Sequence, residues 1–301
     1  MYANLADLPT AVSLCEVGPR DGFQFEAKVI PTDRKVGWIR ALAAAGLPRI
    51  QASSFVHPKR VPQMADAEDV VAALHDLGGT QVSALALNRR GVERAAAAGL
   101  RYIDLSIATN EQHSRDNANM SVAEGVEEAA AMVALSLDAG MQPQLGLQTV
   151  FGYSRPGDTP INFVAELAGR FCTTGIESLS LADTTGLANP LLIRSMIEAV
   201  RAVSRDVPIV LHLHDTRGLG LANIAAALQL GVARFDTSVG GLGGCPFIQG
   251  ATGNVATEDV VYLLESMGIS TGANVAAVST VARELELFLG RDLPGRLHGL
   301  R

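Results

Sequence analysis

Two histidines one residue apart, His212 and His214 in Val210-Leu-His-Leu-His-Asp, follow directly on the apolar run Val207-Pro-Ile-Val-Leu. A β-branched run of this kind reads as a strand, on which residues i and i+2 point to the same side. Both imidazoles can then reach one point in space, and two convergent imidazoles are half of a metal site. The alternative is a pair of core histidines satisfied by hydrogen bonds. Which reading holds depends on the elements that carry the rest of the chemistry.

Those elements recur. Short apolar runs alternate with alanine-rich helical stretches eight times: Val12-Ser-Leu-Cys-Glu-Val, Arg49-Ile-Gln-Ala-Ser-Ser, Gln81-Val-Ser-Ala-Leu-Ala-Leu, Tyr102-Ile-Asp-Leu-Ser-Ile, Gln142-Pro-Gln-Leu-Gly-Leu-Gln, Ser178-Leu-Ser-Leu-Ala, Pro208-Ile-Val-Leu-His-Leu-His and Arg234-Phe-Asp-Thr-Ser-Val. Several helices end in Ala-Gly or Leu-Gly, at Gly46, Gly99, Gly140 and Gly231, where a left-handed residue satisfies the last carbonyls. Strand–helix alternation implies a parallel sheet, and eight units close a barrel. An open doubly wound sheet lacks its expected Gly-x-Gly-x-x-Gly fingerprint here. The fold is therefore read as a TIM (β/α)8 barrel. Residues 1–301 form one catalytic domain in this reading, with 271–301 as a C-terminal helical extension.

Composition narrows the partners. The 301 residues are 48% hydrophobic and 18% charged, with formal net charge -7 and mean hydropathy +0.22. That is ample for a large core. No basic stripe points to nucleic acid, and no apolar run is long enough to cross a membrane. No basic segment followed by an apolar one opens the chain, so a cytoplasmic location is expected. The expected assembly is a homo-oligomer, dimer or higher. Three scattered cysteines make no disulfide framework; Cys15 and Cys172 read as core residues, whereas Cys245 sits in a glycine-rich loop.

Catalytic groups of such barrels project from the strands' C-terminal ends. Those ends carry Arg20 and Asp21, Gln51 and Ser53, Asp183 and Thr184, His212, His214 and Asp215, and Asp236, followed by Gly240-Gly-Leu-Gly-Gly-Cys-Pro and Gly253-Asn254. A carboxylate, two imidazoles and an amide oxygen form a mixed nitrogen and oxygen set without thiolate. It suits a divalent cation, Mg2+ or Mn2+ ahead of zinc.

Four segments resemble the 3-hydroxy-3-methylglutaryl-CoA lyase family: Glu16-Val-Gly-Pro-Arg-Asp-Gly-Phe-Gln, Ser53-Ser-Phe-Val-His-Pro-Lys-Arg-Val-Pro-Gln-Met, His212-Leu-His-Asp-Thr-Arg-Gly and Gly241-Leu-Gly-Gly-Cys-Pro-Phe-Ile-Gln-Gly-Ala-Thr-Gly-Asn. The resemblance implies cleavage of an acyl-CoA, 3-hydroxy-3-methylglutaryl-CoA, to acetyl-CoA and acetoacetate. It further implies that Asp21, His212, His214 and Asn254 hold the cation, that Arg20 stabilises the enolate, and that Cys245 on a mobile loop transfers a proton. Asp183 and Gln51 join the catalytic candidates from their strand ends. Gln24 and Phe25, with Asn110 and Arg115 in Ala108-Thr-Asn-Glu-Gln-His-Ser-Arg, are the candidate acyl-CoA contacts.

The chain departs from the family pattern twice. Gln51 stands where the family usually has glutamate, and cannot carry charge or act as a base. Phe25 places a large ring where a small amide is usual. Both leave open a lyase for another branched 3-hydroxyacyl-CoA such as citramalyl-CoA, or a catalytically weak acyl-CoA binder. On this reading Gln51→Glu is expected to raise activity toward the family substrate.

Overall fold

Eight strands form where the apolar runs fall: β1 (Ser13–Glu16), β2 (Arg49–Ser54), β3 (Gln81–Ala86), β4 (Tyr102–Ala108), β5 (Gln142–Gln148), β6 (Ser178–Ala182), β7 (Ile209–His212) and β8 (Arg234–Thr237). In the computed structural model, which describes residues 8–244 and 252–300, they pair in sequence order as one closed barrel. Every pairing is parallel, and β1 closes on β8 with Ser13 opposite Arg234 and Glu16 opposite Thr237. The barrel expectation holds.

Helices occupy the crossovers: α1 (Thr32–Ala44), α2 (Ala67–Ala72), α3 (Arg89–Ala97), α4 (Glu111–Ala118), α5 (Val122–Asp138), α6 (Ile161–Phe171), α7 (Pro190–Val203), α8 (Gly220–Leu228) and α9 (Thr257–Ser266). α5 begins in a capping box: Ser121 accepts from the Glu124 amide while Glu124 reaches back to Ser121, satisfying two orphan donors at once. Gly140, just beyond the end of α5, takes φ +74°, the left-handed turn its sequence position anticipated.

The strands are two-faced in a particular way. Ile103 and Ile107, Leu145 and Leu147, and Leu179 and Leu181 are buried in the continuous apolar core. Alternating with them are Asp104 and Ser106, Gln144, Gly146 and Gln148, and Ser180, which line a cavity inside the barrel. Barrels usually fill that space with layers of branched apolar residues. Here small and polar side chains leave it open.

An additional helix, α10 (Val275–Leu289), follows the eighth unit. Beyond it the chain returns to the barrel mouth, where the Gly295 amide donates to the Gly240 carbonyl at 2.9 Å. Next to this contact His298 is buried between two carboxylates, with Nδ1 2.7 Å from Glu258 Oε1 and Nε2 3.0 Å from Glu286 Oε1. The hydrogen bond to Glu258, ahead of the opposing effect of burial and the bond to Glu286, raises its pKa to about 9. A raised histidine pKa adds stability that is complete below the unfolded value near 6.5 and lost as pH climbs through the folded value. Thermal stability is therefore expected to fall between about pH 6.5 and 9.5 more steeply in the wild type than in His298→Gln. Parallel melting curves for the two proteins would remove the assignment.

Cys15 is buried, as expected, while Cys172 at the end of α6 is only partly covered. Among the described residues, no helix is long and apolar enough to cross a membrane.

Candidate active site

The barrel mouth is built from the ends of β1, β2, β7 and the chain just beyond β8. After β1 the backbone makes one wide π-type turn, Gly18–Gly22. Glu16 fixes it. This fully buried carboxylate accepts from the amides of Gly18 at 2.8 Å and Val239 at 2.9 Å, and from Thr257 Oγ1 at 2.7 Å. Burial pushes its pKa up to about 7 against the pull of those bonds. The turn brings Arg20 and Asp21 inward side by side, with Arg20 Nη1 donating to Asp21 Oδ1. Both side chains are largely buried, at 12% and 8% exposure, so the pair is no solvated surface ion pair.

β7 ends at His212, two residues short of the expectation. His214 lies past it, in an isolated antiparallel bridge with Asn254. The rings still converge, with Nε2 atoms 3.2 Å apart. Asp21 Oδ2 lies 3.7 Å from His212 Nε2 and 4.0 Å from His214 Nε2. One ligand atom from each of the three residues falls within 4.8 Å of the others. On its far side, His212 Nδ1 meets Asp236 Oδ2 at 3.2 Å. An Nδ1–H held by a carboxylate leaves the Nε2 lone pair turned toward the cluster. Burial drives the His214 pKa down to about 4, helped by His212, so this imidazole is neutral. Burial pushes Asp21 up, but Arg20 and then the two histidines hold it below the usual carboxylate range.

Asn254 completes the group. Its Nδ2 donates to Asp21 Oδ2 at 2.7 Å and to the Leu242 carbonyl at 3.2 Å. Its buried Oδ1 has no hydrogen-bond partner among the described residues. Glycines let the backbone close around it: a Cβ at Gly253 would stand 2.7 Å from the Gly243 Cα, and one at Gly243 would stand 2.6 Å from Asn254 Nδ2. An ionised carboxylate, two imidazole nitrogens and an unsatisfied amide oxygen are the donor set a hard divalent cation takes. The residues fit such an ion on their own geometry.

The cluster opens onto a cavity of about 410 Å³ lined by Arg20, Asp21, Gln24, Phe25, Gln51, His212 and His214, with Gly244 at the rim. Gln24 Nε2 donates to Asp21 Oδ1 at 2.9 Å. Phe25, 40% exposed, is an uncovered aromatic at the entrance. Three other sequence candidates have local partners, and one of them, Asp183, stays next to the cluster: its amide donates to the His212 carbonyl at 2.8 Å. Asp183 accepts from the amides of Leu187 and Ala188 at 2.8 and 3.0 Å, which anchors the β6–α7 loop; burial raises its pKa to about 7. Asn110 caps α4, accepting from the His113 amide at 3.2 Å, and faces a separate groove. Arg115 is solvent-exposed, 3.8 Å from Glu111. Cys245 lies outside the described residues. Conversely, Asp104, His113, Gln144 and Gln148 line the cavity although sequence reasoning passed over them. For Asp104, Gln144 and Gln148 the signal was present as polar residues at alternate positions within apolar strands; His113 sits on α4 and carried no such signal.

Fold and site together define a (β/α)8-barrel enzyme whose polar groups gather at the C-terminal ends of the strands. The chain belongs to the HMGL-like family of lyases, whose model matches residues 11–284. It is 41% identical over 288 residues to a hydroxymethylglutaryl-CoA lyase of Bacillus subtilis, covering 96% of each chain. The crystal structure of a Bacillus subtilis HMG-CoA lyase superposes with TM-score 0.92 at 40% identity, over 96% of this chain and 97% of that one. An HMG-CoA lyase from Acinetobacter baumannii, solved with coenzyme A and 3-methylmalate, superposes with TM-score 0.89 at 36% identity, over 99% and 96% of the two chains.

Proposed function

We propose that this barrel is a divalent-metal-dependent lyase that cleaves 3-hydroxy-3-methylglutaryl-CoA to acetyl-CoA and acetoacetate. The observation that carries the reading is the convergence of Asp21, His212, His214 and the unsatisfied Asn254 Oδ1 beside the Arg20 guanidinium. Asp21, His212, His214 and Asn254 would hold Mg2+ or Mn2+, which supplies Lewis acidity toward the substrate's tertiary hydroxyl. The hydroxyl passes its proton to a base of the site, for which Asp183, with one buried carboxylate oxygen unpartnered among the described residues, is the candidate; the C2–C3 bond breaks, and its electron pair passes into the thioester enolate. Arg20 stabilises that developing charge. C2 then takes up a proton, which completes acetyl-CoA; Cys245 is the candidate donor. Gln24 and Phe25, which line the cavity, are the proposed contacts for the acyl-CoA.

Gln51 and the exposed Phe25 support a second reading, a lyase for another branched 3-hydroxyacyl-CoA. Purified protein with Mg2+ or Mn2+ and a panel of hydroxyacyl-CoAs separates the two. The first reading requires acetyl-CoA and acetoacetate to appear from 3-hydroxy-3-methylglutaryl-CoA, and their release to stop on chelation. No release from that substrate, alongside fast cleavage of another, replaces it with the second.

A metal centre of this kind also predicts an effect at Asp236, which only orients a ligand. Asp236→Asn should weaken Mn2+ binding about 10–100-fold, as loss of such an orienting partner typically does, with melting behaviour close to wild type. Calorimetric titration with Mn2+ reads this directly; unaltered affinity would show that His212 needs no brace.

A further inference from the structure

Behind Arg20 runs a chain of polar contacts into the barrel interior. Arg20 Nε donates to Gln51 Oε1. Gln51 Nε2 in turn donates to Asp104 Oδ2 at 2.6 Å, and the same oxygen accepts from Ser83 Oγ at 2.6 Å. Asp104 Oδ1 accepts from Arg49 Nη2 at 2.8 Å. Asp104 and Gln51 are 3% and 4% exposed, so solvent does not exchange for these contacts. We infer that Asp104 is a positioning residue: it orients the Gln51 amide so that Gln51 holds Arg20 in place for the reaction.

Donor and acceptor chemistry dictates the order of these contacts. An ionised carboxylate only accepts, so Asp104 admits only the NH2 side of Gln51. The carbonyl oxygen must then face Arg20, whose guanidinium only donates. Gln51 alone could present either end to Arg20. Asp104 removes that ambiguity, and Ser83 and Arg49 hold Asp104 itself. The one negative charge of this chain of contacts thus sits a step deeper than position 51. That reverses the expectation for Gln51→Glu, because a carboxylate at 51 would meet Asp104 head-on, two like charges in contact. The inference rests on the proposed role of Arg20 in the lyase reaction, and one of its readouts is independent of activity.

Three variants test it. In Asp104→Asn the amide at 104 can keep Arg49 on an oxygen at the Oδ1 position, which puts its NH2 at the Oδ2 position, where Ser83 Oγ can turn to accept from it and Gln51 meets a donor. Gln51 then flips and offers a donor to Arg20. We expect kcat to fall about 10–100-fold, as for loss of an orienting partner, with KM for the acyl-CoA nearly unchanged. Gln51→Glu alone should also lose activity. The double variant Gln51→Glu/Asp104→Asn restores every donor–acceptor pairing, since the new amide at position 104 donates to the carboxylate at 51 and that carboxylate accepts from Arg20. It should regain most of the lost kcat. The Arg20 Nε–H resonance, assigned by its disappearance in Arg20→Gln, should shift in each single variant and return in the double. That signal reports the chain of contacts even if the wild type cleaves a different acyl-CoA. Additive losses in the double variant, or an Arg20 resonance indifferent to Asp104→Asn, would overturn the assignment. Should Asp104→Asn fail to fold, failure of the double variant to outperform Gln51→Glu would do the same.

Discussion

Arg20→Gln is expected to lower kcat about 10²–10³-fold, the usual consequence of removing one donor aimed at charge that develops in the transition state. KM for the acyl-CoA should move little, because the ground-state thioester oxygen carries only partial charge. Two guanidinium nitrogens are already engaged, Nε by Gln51 and Nη1 by Asp21. Arg20 is thus preorganised, and its contribution needs no rearrangement as the enolate forms. Steady-state kinetics with the wild type and Arg20→Gln decides the matter. An unchanged kcat with a large rise in KM would move Arg20 from the reacting centre to substrate binding.

His212→Ala should weaken divalent-metal binding by more than the roughly 10–100-fold typical of an orienting partner, since it removes a ligand outright. Activity should fall with it and partly recover at high metal concentration. The fold should survive, because His212 ends β7 at the mouth and contributes nothing to the apolar core. A modest loss of stability is expected, about 1–3 kcal/mol, because Asp236 Oδ2 would keep its burial and lose the imidazole at 3.2 Å. Mn2+ titration and a thermal melt on the same preparation separate the two effects. Unchanged metal affinity would dissolve the proposed centre, whatever happened to the rate.

The barrel was legible because each strand is a short apolar run followed by a helical stretch, several of them ending in a glycine stop, and such units repeat locally. The His-x-His pair was legible for the same reason, since its geometry depends on one strand. Its partner Asp236 was less so. Asp236 stood at a strand end like several other residues, and only the pairing of His212 with Asp236 across β7 and β8 gives it a role. Asp104 was hidden for a further reason. It reads as a polar interruption in Tyr102-Ile-Asp-Leu-Ser-Ile, and whether such a residue faces the lumen or the helices depends on registers with two other strands. Asn110 and Arg115 show the opposite ambiguity. Their residue types suit a phosphate or thioester, and each also has a local partner, the first turn of α4 for Asn110 and Glu111 for Arg115.

The polar lumen also sets how this protein must divide stability from use. Most globular interiors gain stability by closing on themselves, and here the space inside the strands contributes little to that gain. Cohesion comes instead from the outer shell, where Ile103, Leu145 and Leu179 join the helices in the continuous apolar core. Replacing Ser106 or Gln144 with leucine would therefore act as a ratchet in the wrong direction, yielding a firmer barrel with no room for an acyl chain. A hydrophilic lumen keeps that volume free for a ligand at the expense of added cohesion.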